Sequence, residues 1–96
     1  MLHIVNNKKT STFEALLPDG EYATLQYRWL KGSMVLMHTL VPGADRGQGI
    51  GDELIKHVLD HARSAQLKII IYCSFVAKYV KEHPEYADLK DPAHDR

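Results

Sequence analysis

Arg46-Gly47-Gln48-Gly49-Ile50-Gly51 is the stretch of this 96-residue chain whose residue types and spacing point most directly to chemistry. Three glycines in five residues are expensive in a helix, ~1 kcal/mol each relative to alanine, so something must offset the cost. An anion at a helix N-terminus would do so. The first turn presents unpaired N–H groups and a partial positive charge. Glycines let a phosphate come close to the main chain, and Arg46 adds a full charge. A pyrophosphate is the expected guest. The alternative, equally open on the glycines alone, is that they merely let a helix pack tightly on a strand. There is no Gly-Lys-Ser/Thr ending, so this is not a P-loop. The glycine spacing is also wrong for the dinucleotide fingerprint.

Cys73 is the single cysteine, which rules out an internal disulfide framework and a cysteine-cluster zinc site. It ends an apolar run and precedes a helix start, a position that raises thiolate content and suits a nucleophile. The competing role is a small buried hydrophobe at a strand end. His57 and His61 stand four residues apart, a spacing that can hold a metal on one helix face. With no third ligand in view they read as a solvent-facing pair, and no metal is expected.

Around these residues the chain divides into strands and then helices. Leu2–Val5 is a short strand candidate, and Thr12–Leu17 a second. Pro18-Asp19-Gly20 supplies turn chemistry before Glu21–Trp29. There Ala23, Leu25, Tyr27 and Trp29 alternate with Tyr22, Thr24, Gln26 and Arg28, so the two segments should form an antiparallel hairpin. After Lys31-Gly32-Ser33, Met34–Val41 is an almost unbroken apolar run, the pattern of a strand buried on both faces. From Gly49 to Ala65, Ile50, Leu54, Val58, Ala62 and Ala65 recur at helical spacing, with Glu53/Lys56 and Asp60/Arg63 as same-helix pairs. Leu67–Tyr72 is a further β-branched strand. A second helix starts at Ser74, its expected N-cap, and stops at His83-Pro84. The fold class is α+β, a mixed, mostly antiparallel sheet with two main helices. Residues 1–88 form one domain, and residues 89–96 a mobile tail.

Composition narrows the field further. Twelve Lys+Arg balance twelve Asp+Glu, which removes the simplest argument for nucleic-acid binding. No apolar run approaches the ~20 residues that cross a bilayer. The opening residues lack a signal-peptide pattern, so the expected compartment is reducing and cytoplasmic. The balance is uneven, however: residues 46–81 carry six basic against three acidic side chains, a local surplus where the glycine loop begins.

Arg46-x-x-Gly49-x-Gly51 resembles the Q/R-x-x-G-x-G/A pyrophosphate loop of the GCN5-related N-acetyltransferase (GNAT) superfamily. The order hairpin, buried strand, loop, helix, strand, helix is also similar. Together with His38-Thr39, Val41-Pro42, Cys73-Ser74-Phe75-Val76 and His83-Pro84-Glu85-Tyr86, the chain resembles small stand-alone GNAT-like proteins of about one hundred residues. The resemblance implies a minimal GNAT-like fold and acetyl-CoA as co-substrate. Its pyrophosphate would rest on Gly47, Gln48, Gly49, Ile50 and Gly51 beside Arg46. Its pantetheine arm would pair with Leu40 and Val41, and its thioester would enter a gap between strands near Thr39 and Tyr72-Cys73. In such small proteins the cysteine matching Cys73 is the candidate active-site residue, and Tyr79 is the nearest match to the tyrosine that protonates the CoA thiolate. His38 is a candidate proton acceptor, directly or through water, because imidazole is the side chain suited to proton transfer near neutrality. Tyr79 and His38 have bland alternatives, as a core aromatic and a satisfied sheet residue. Relatives often carry an acidic residue where this chain has Leu40, which removes one candidate base.

The function implied is an acetyl-CoA-dependent N-acetyltransferase acting on an amine. The alternative is an acyl-CoA-binding module with little turnover, since larger GNAT enzymes build the acceptor site partly from N-terminal helices. The expected partners are acetyl-CoA and an amine, without nucleic acid or membrane, for a monomer or homodimer.

Overall fold

The structure is a computed structural model and describes residues 2–94. Strands β1 (His3–Asn7), β2 (Thr12–Leu16), β3 (Tyr22–Leu30) and β4 (Ser33–Leu40) follow one another as an antiparallel meander. Helix α1 (Ile50–Ser64) then carries the chain to β5 (Ile69–Ile71), which lies parallel to β4 at the end of the five-stranded sheet. Helix α2 (Ser74–Glu82) and a 3-10 turn (Pro84–Leu89) complete the order. This is the mixed, mostly antiparallel sheet with two main helices that the sequence implies.

The turns follow from their residues. In the β2–β3 loop Gly20 takes φ 88°, and the Leu17 N–H donates to the Glu21 carbonyl across it at 2.8 Å. Between β3 and β4, Lys31 and Gly32 both have positive φ (49° and 85°), the twist that a two-residue hairpin demands. Helix α1 stops in a Schellman arrangement. Gln66 turns left-handed at φ 59°, while the Leu67 and Gln66 amides donate to the Ala62 and Arg63 carbonyls at 2.8 and 3.1 Å.

Both helices cover the same face of the sheet. Leu54, Ile55, Val58 and Leu59 of α1 and Val76, Tyr79 and Val80 of α2 join Phe13, Leu25, Tyr27, Met34, Leu36 and Ile69 in one buried cluster. The opposite face leaves Val5, Leu16, Tyr22 and Leu40 exposed. Among the described residues no helix is long and apolar enough to cross a membrane.

Several sequence expectations need correction. The run Met34–Val41 is buried on both faces only over Met34–Leu36; beyond Leu36 it has lost its neighbour β5 and becomes half-exposed or exposed. Trp29 shares the face of Tyr27, packing edge-on against it at 5.7 Å, and lies 53% exposed at the end of its hairpin. Cys73, not Ser74, is the N-cap of α2, and it caps with no side-chain hydrogen bond.

The ion pairs of α1 also differ. Lys56 pairs with Asp60 at 2.8 Å, whereas Arg63 reaches out to Asp88 at 2.8 Å and to the Glu85 carbonyl at 2.8 Å. Tyr86 donates its hydroxyl to Asp60 at 2.7 Å, so the 3-10 turn is fastened to α1 at several points. The expected tail begins within packed structure. Leu89 is buried, Lys90 bridges Ile69 of β5, and Asp91 accepts from Ser33 at 2.6 Å while its amide donates to the Ile69 carbonyl at 2.7 Å. Asp95 and Arg96 lie outside the described residues.

Candidate functional site

The site begins where β4 parts from β5. Their parallel pairing runs Met34–Ile69, Val35–Ile70 and Leu36–Ile71, and then the Tyr72 and Cys73 amides both donate to the Leu36 carbonyl, at 3.0 and 3.1 Å. With one carbonyl taking two donors, the ladder can go no further. At the same point β4 carries a bulge: Tyr27 opposes Leu36, but Gln26 opposes His38, so Met37 is the extra residue. The edge of β4 after Met37 therefore faces a gap instead of a strand. Thr39 and Cys73 meet across it, Oγ1 to Sγ at 3.3 Å.

A cleft of about 650 Å³ runs along that edge, bounded by β4 residues His38 to Val41, by the loop into α1 and by one face of α2. Phe75, Lys78, Tyr79 and Glu82 recur there at helical spacing and form the α2 wall. The cleft gathers Leu40, Val41, Arg46, Gly47, Gly49, Ile50 and Gly51 from the expected co-substrate residues, while Gln48 is exposed and lies outside its lining. Of the three candidate catalytic residues, Tyr79 and His38 line the cleft. Cys73 stands behind Thr39, 7% exposed, and is not among the lining residues. His38 opposes Gln26, and Thr39 opposes the core residue Leu25, so His38 points to the open face of the sheet and Thr39 to the helix side.

The glycines have separate reasons. Gly47 and Gly49 adopt left-handed φ of 82° and 76°, and a Cβ at either would meet nothing within 4 Å. Their need is backbone conformation, not crowding. Gly51 is the reverse: a Cβ there would stand 2.7 Å from the Phe75 ring, so this glycine lets α1 pack against α2. Gly49 is the N-cap of α1 and supplies no side-chain bond to its orphan amides. Those uncapped amides open on the cleft beside Arg46, whose Nε donates to the Val41 carbonyl at 3.3 Å. Lys78 adds a second cation, but Asp52 and Glu82 offset the two, so attraction for a diphosphate rests on the loop amides and Arg46. The residues present thus fit a CoA pyrophosphate.

Tyr79 is 6% exposed, and among the described residues its hydroxyl has no hydrogen-bond partner. Burial is the main cause that raises its pKa above the ordinary 10.0, with the Lys56 charge opposing, so the phenol holds its proton. Sequence reasoning missed Phe75, Lys78 and Glu82 as cleft residues, although the i, i+3, i+4, i+7 spacing from Phe75 was the available signal. His57 and His61 set their edges against Phe13, with centroids 6.0 and 5.5 Å away. No group of three or more metal-ligating side chains occurs among the described residues.

Comparison with known proteins adds an independent line. The family model described as GCN5-related N-acetyl-transferase matches residues 12–89. Protein NATD1 of Xenopus tropicalis is 41% identical over 85 residues, covering 86% of this chain and 78% of its own length. Protein NATD1 of Homo sapiens is 43% identical over 63 residues, 65% of this chain and 56% of its own. Among solved structures, the solution structure of a GCN5-like candidate N-acetyltransferase from Staphylococcus aureus superposes with a TM-score of 0.73 at 30% identity, covering 94% of this chain and 88% of that one. With the family match spanning four-fifths of its length, this chain belongs to the GCN5-related N-acetyltransferase family.

Proposed function

We propose that the protein transfers the acetyl group of acetyl-CoA to an amine. One arrangement carries the reading: a single cleft joins the uncapped, glycine-opened start of α1 to the freed edge of β4 and to Tyr79, whose hydroxyl has no hydrogen-bond partner among the described residues. The loop amides and Arg46 would hold the pyrophosphate, and the β4 edge near Val41 would pair with the pantetheine arm. Acetyl-CoA supplies the thioester, an acyl group on a good leaving thiol.

The chain's residues then have two proton tasks. A neutral amine forms its C–N bond to the acetyl carbon as the C–S bond breaks. His38, exposed at the cleft rim on the open face, would accept the proton the amine loses, directly or through water. Tyr79 would deliver its proton to the departing sulfur and recover one from solvent. The net exchange moves one proton from nitrogen to sulfur. No protein nucleophile is required, and Cys73 sits behind Thr39 as a neighbour of the gap.

Calorimetry with acetyl-CoA tests the binding half; no heat at high micromolar ligand would sink it. Release of free thiol with polyamines, aminoglycosides and lysine peptides tests transfer. A second reading, an acyl-CoA-binding module with little turnover, is favoured by one observation: among the described residues, no helix covers the open face of the sheet to frame an acceptor. Binding without amine-dependent thiol release would select it.

A further inference from the structure

Nothing among the described residues hydrogen-bonds the Tyr79 hydroxyl, so its direction must be fixed through the ring. Two rings flank it. Tyr86 lies 6.2 Å away, tilted by 41°, and is itself held by its hydroxyl on Asp60 at 2.7 Å. His83 stacks on the phenol with centroids 3.9 Å apart and planes 16° from parallel. His83 is fastened in turn. Its backbone amide donates to the Val80 carbonyl at 3.2 Å, and its Nδ1 lies 2.8 Å from the Tyr79 carbonyl. A carbonyl only accepts, so Nδ1 carries the proton. Pro84 follows at once and restricts the backbone of His83.

We propose that His83 is a positioning residue: its imidazole, anchored on the carbonyl of Tyr79, clamps the phenol of that same residue so that the free hydroxyl faces the cleft. Tyr79 and His83 sit one turn apart, so the clamp is local to the end of α2. The proposal rests on Tyr79 as the proton donor to the CoA sulfur. Misplacement of a catalytic group by about 1 Å costs up to about 100-fold, so loss of the clamp should appear in turnover before it appears in binding.

Two variants separate stacking from capping. His83→Phe keeps a flat ring over the phenol and loses the donor to the carbonyl. His83→Asn keeps a donor and loses the ring. Each is measured with acetyl-CoA and the best amine of the panel, beside calorimetry with CoA and a thermal melt. Tyr79→Phe serves as the parallel control. The expected result is a kcat for His83→Phe within about threefold of the parent, a kcat for His83→Asn about tenfold lower, and an unchanged KM for acetyl-CoA in both. Any other ranking overturns the proposal, including full activity in His83→Asn or a loss in both that tracks the melting temperature. If Tyr79→Phe itself turns over normally, the assignment of Tyr79 as proton donor has failed. If Tyr79→Phe is impaired while both His83 variants are normal, only the positioning role has failed.

Discussion

Thr39 Oγ1 and Cys73 Sγ stand 3.3 Å apart across the mouth of the gap between β4 and β5, Thr39 on β4 itself and Cys73 two residues beyond the end of β5. The contact makes Cys73 a neighbour of the gap and places the more accessible Thr39 in the wall. Cys73→Ala should therefore keep amine-dependent thiol release within about threefold and lose about 1 kcal/mol of stability from the vacated volume. Intact-mass measurement after incubation with acetyl-CoA should show no acetyl adduct. A stable adduct on Cys73 together with a dead alanine variant would replace direct transfer by a thiol route.

The two loop glycines should fail differently. Gly49→Ala forces a Cβ into left-handed backbone, costing about 1–2 kcal/mol of stability, and it distorts the amides offered to the pyrophosphate. Acetyl-CoA affinity should fall at least tenfold. Gly51→Ala drives a Cβ against Phe75, whose ring is 42% exposed and free to swing. Its stability should change by less than about 1 kcal/mol, because better helix propensity offsets the clash. Its affinity should drop only a few-fold. Chemical denaturation and calorimetry on both variants check the contrast.

Turnover should persist into alkaline solution. Burial raises the Tyr79 pKa above 10.0, and the protonated form is the one that serves as acid. The alkaline limb of a kcat profile should therefore fall only above pH 10, and Tyr79→Phe should remove that limb while lowering kcat at least tenfold. A limb near pH 8 that survives in Tyr79→Phe would assign the acid elsewhere.

Acid should loosen the C-terminal clamp first. Three carboxyls there sit below their ordinary 3.8: Asp88 through Arg63, Asp91 through Ser33 and the Ala93 amide, and Asp60, where bonds from Lys56 and Tyr86 overcome the effect of burial. A group depressed in the folded state stabilises the fold above its unfolded value and loses that contribution as pH falls through the folded one. The melting temperature should hold above about pH 5 and decline below pH 4. Tyr86→Phe should cost about 1 kcal/mol at neutral pH and reduce the slope of that decline.

Much of this was legible in the sequence because the signals are local. Alternation over Ala23, Leu25 and Tyr27 gave the hairpin, the spacing from Ile50 to Ala62 gave α1, and Arg46–Gly51 marked the loop with its family. What stayed hidden depends on distant partners. Helical spacing matches Arg63 to Asp60, its neighbour on the helix, whereas its acceptor Asp88 lies 25 residues on. Helical spacing matches Glu53 to Lys56, yet Glu53 accepts from the Leu2 amide, 51 residues away. Glycine composition alone could not separate Gly49, required by φ, from Gly51, which lies against the Phe75 ring. The stack of His83 on Tyr79 needed the C-terminal geometry of α2 before the two residues could be related.

The bulge at Met37 has a consequence in parity. Strand positions alternate between two sides, so positions 36 and 39 would ordinarily face apart. One supernumerary residue makes them face together, Leu36 over Tyr27 and Thr39 over Leu25. The strand thereby changes phase halfway along: its first half counts in step with the core, and its second half counts in step with the cleft. Were Met37 taken into a regular ladder opposite Gln26 instead of bulged, every side chain of the second half would keep its identity but reverse its address, with His38 and Leu40 turned inward and Thr39 sent to solvent. The bulging of position 37, independent of the side chain it carries, decides which residues of β4 face Cys73.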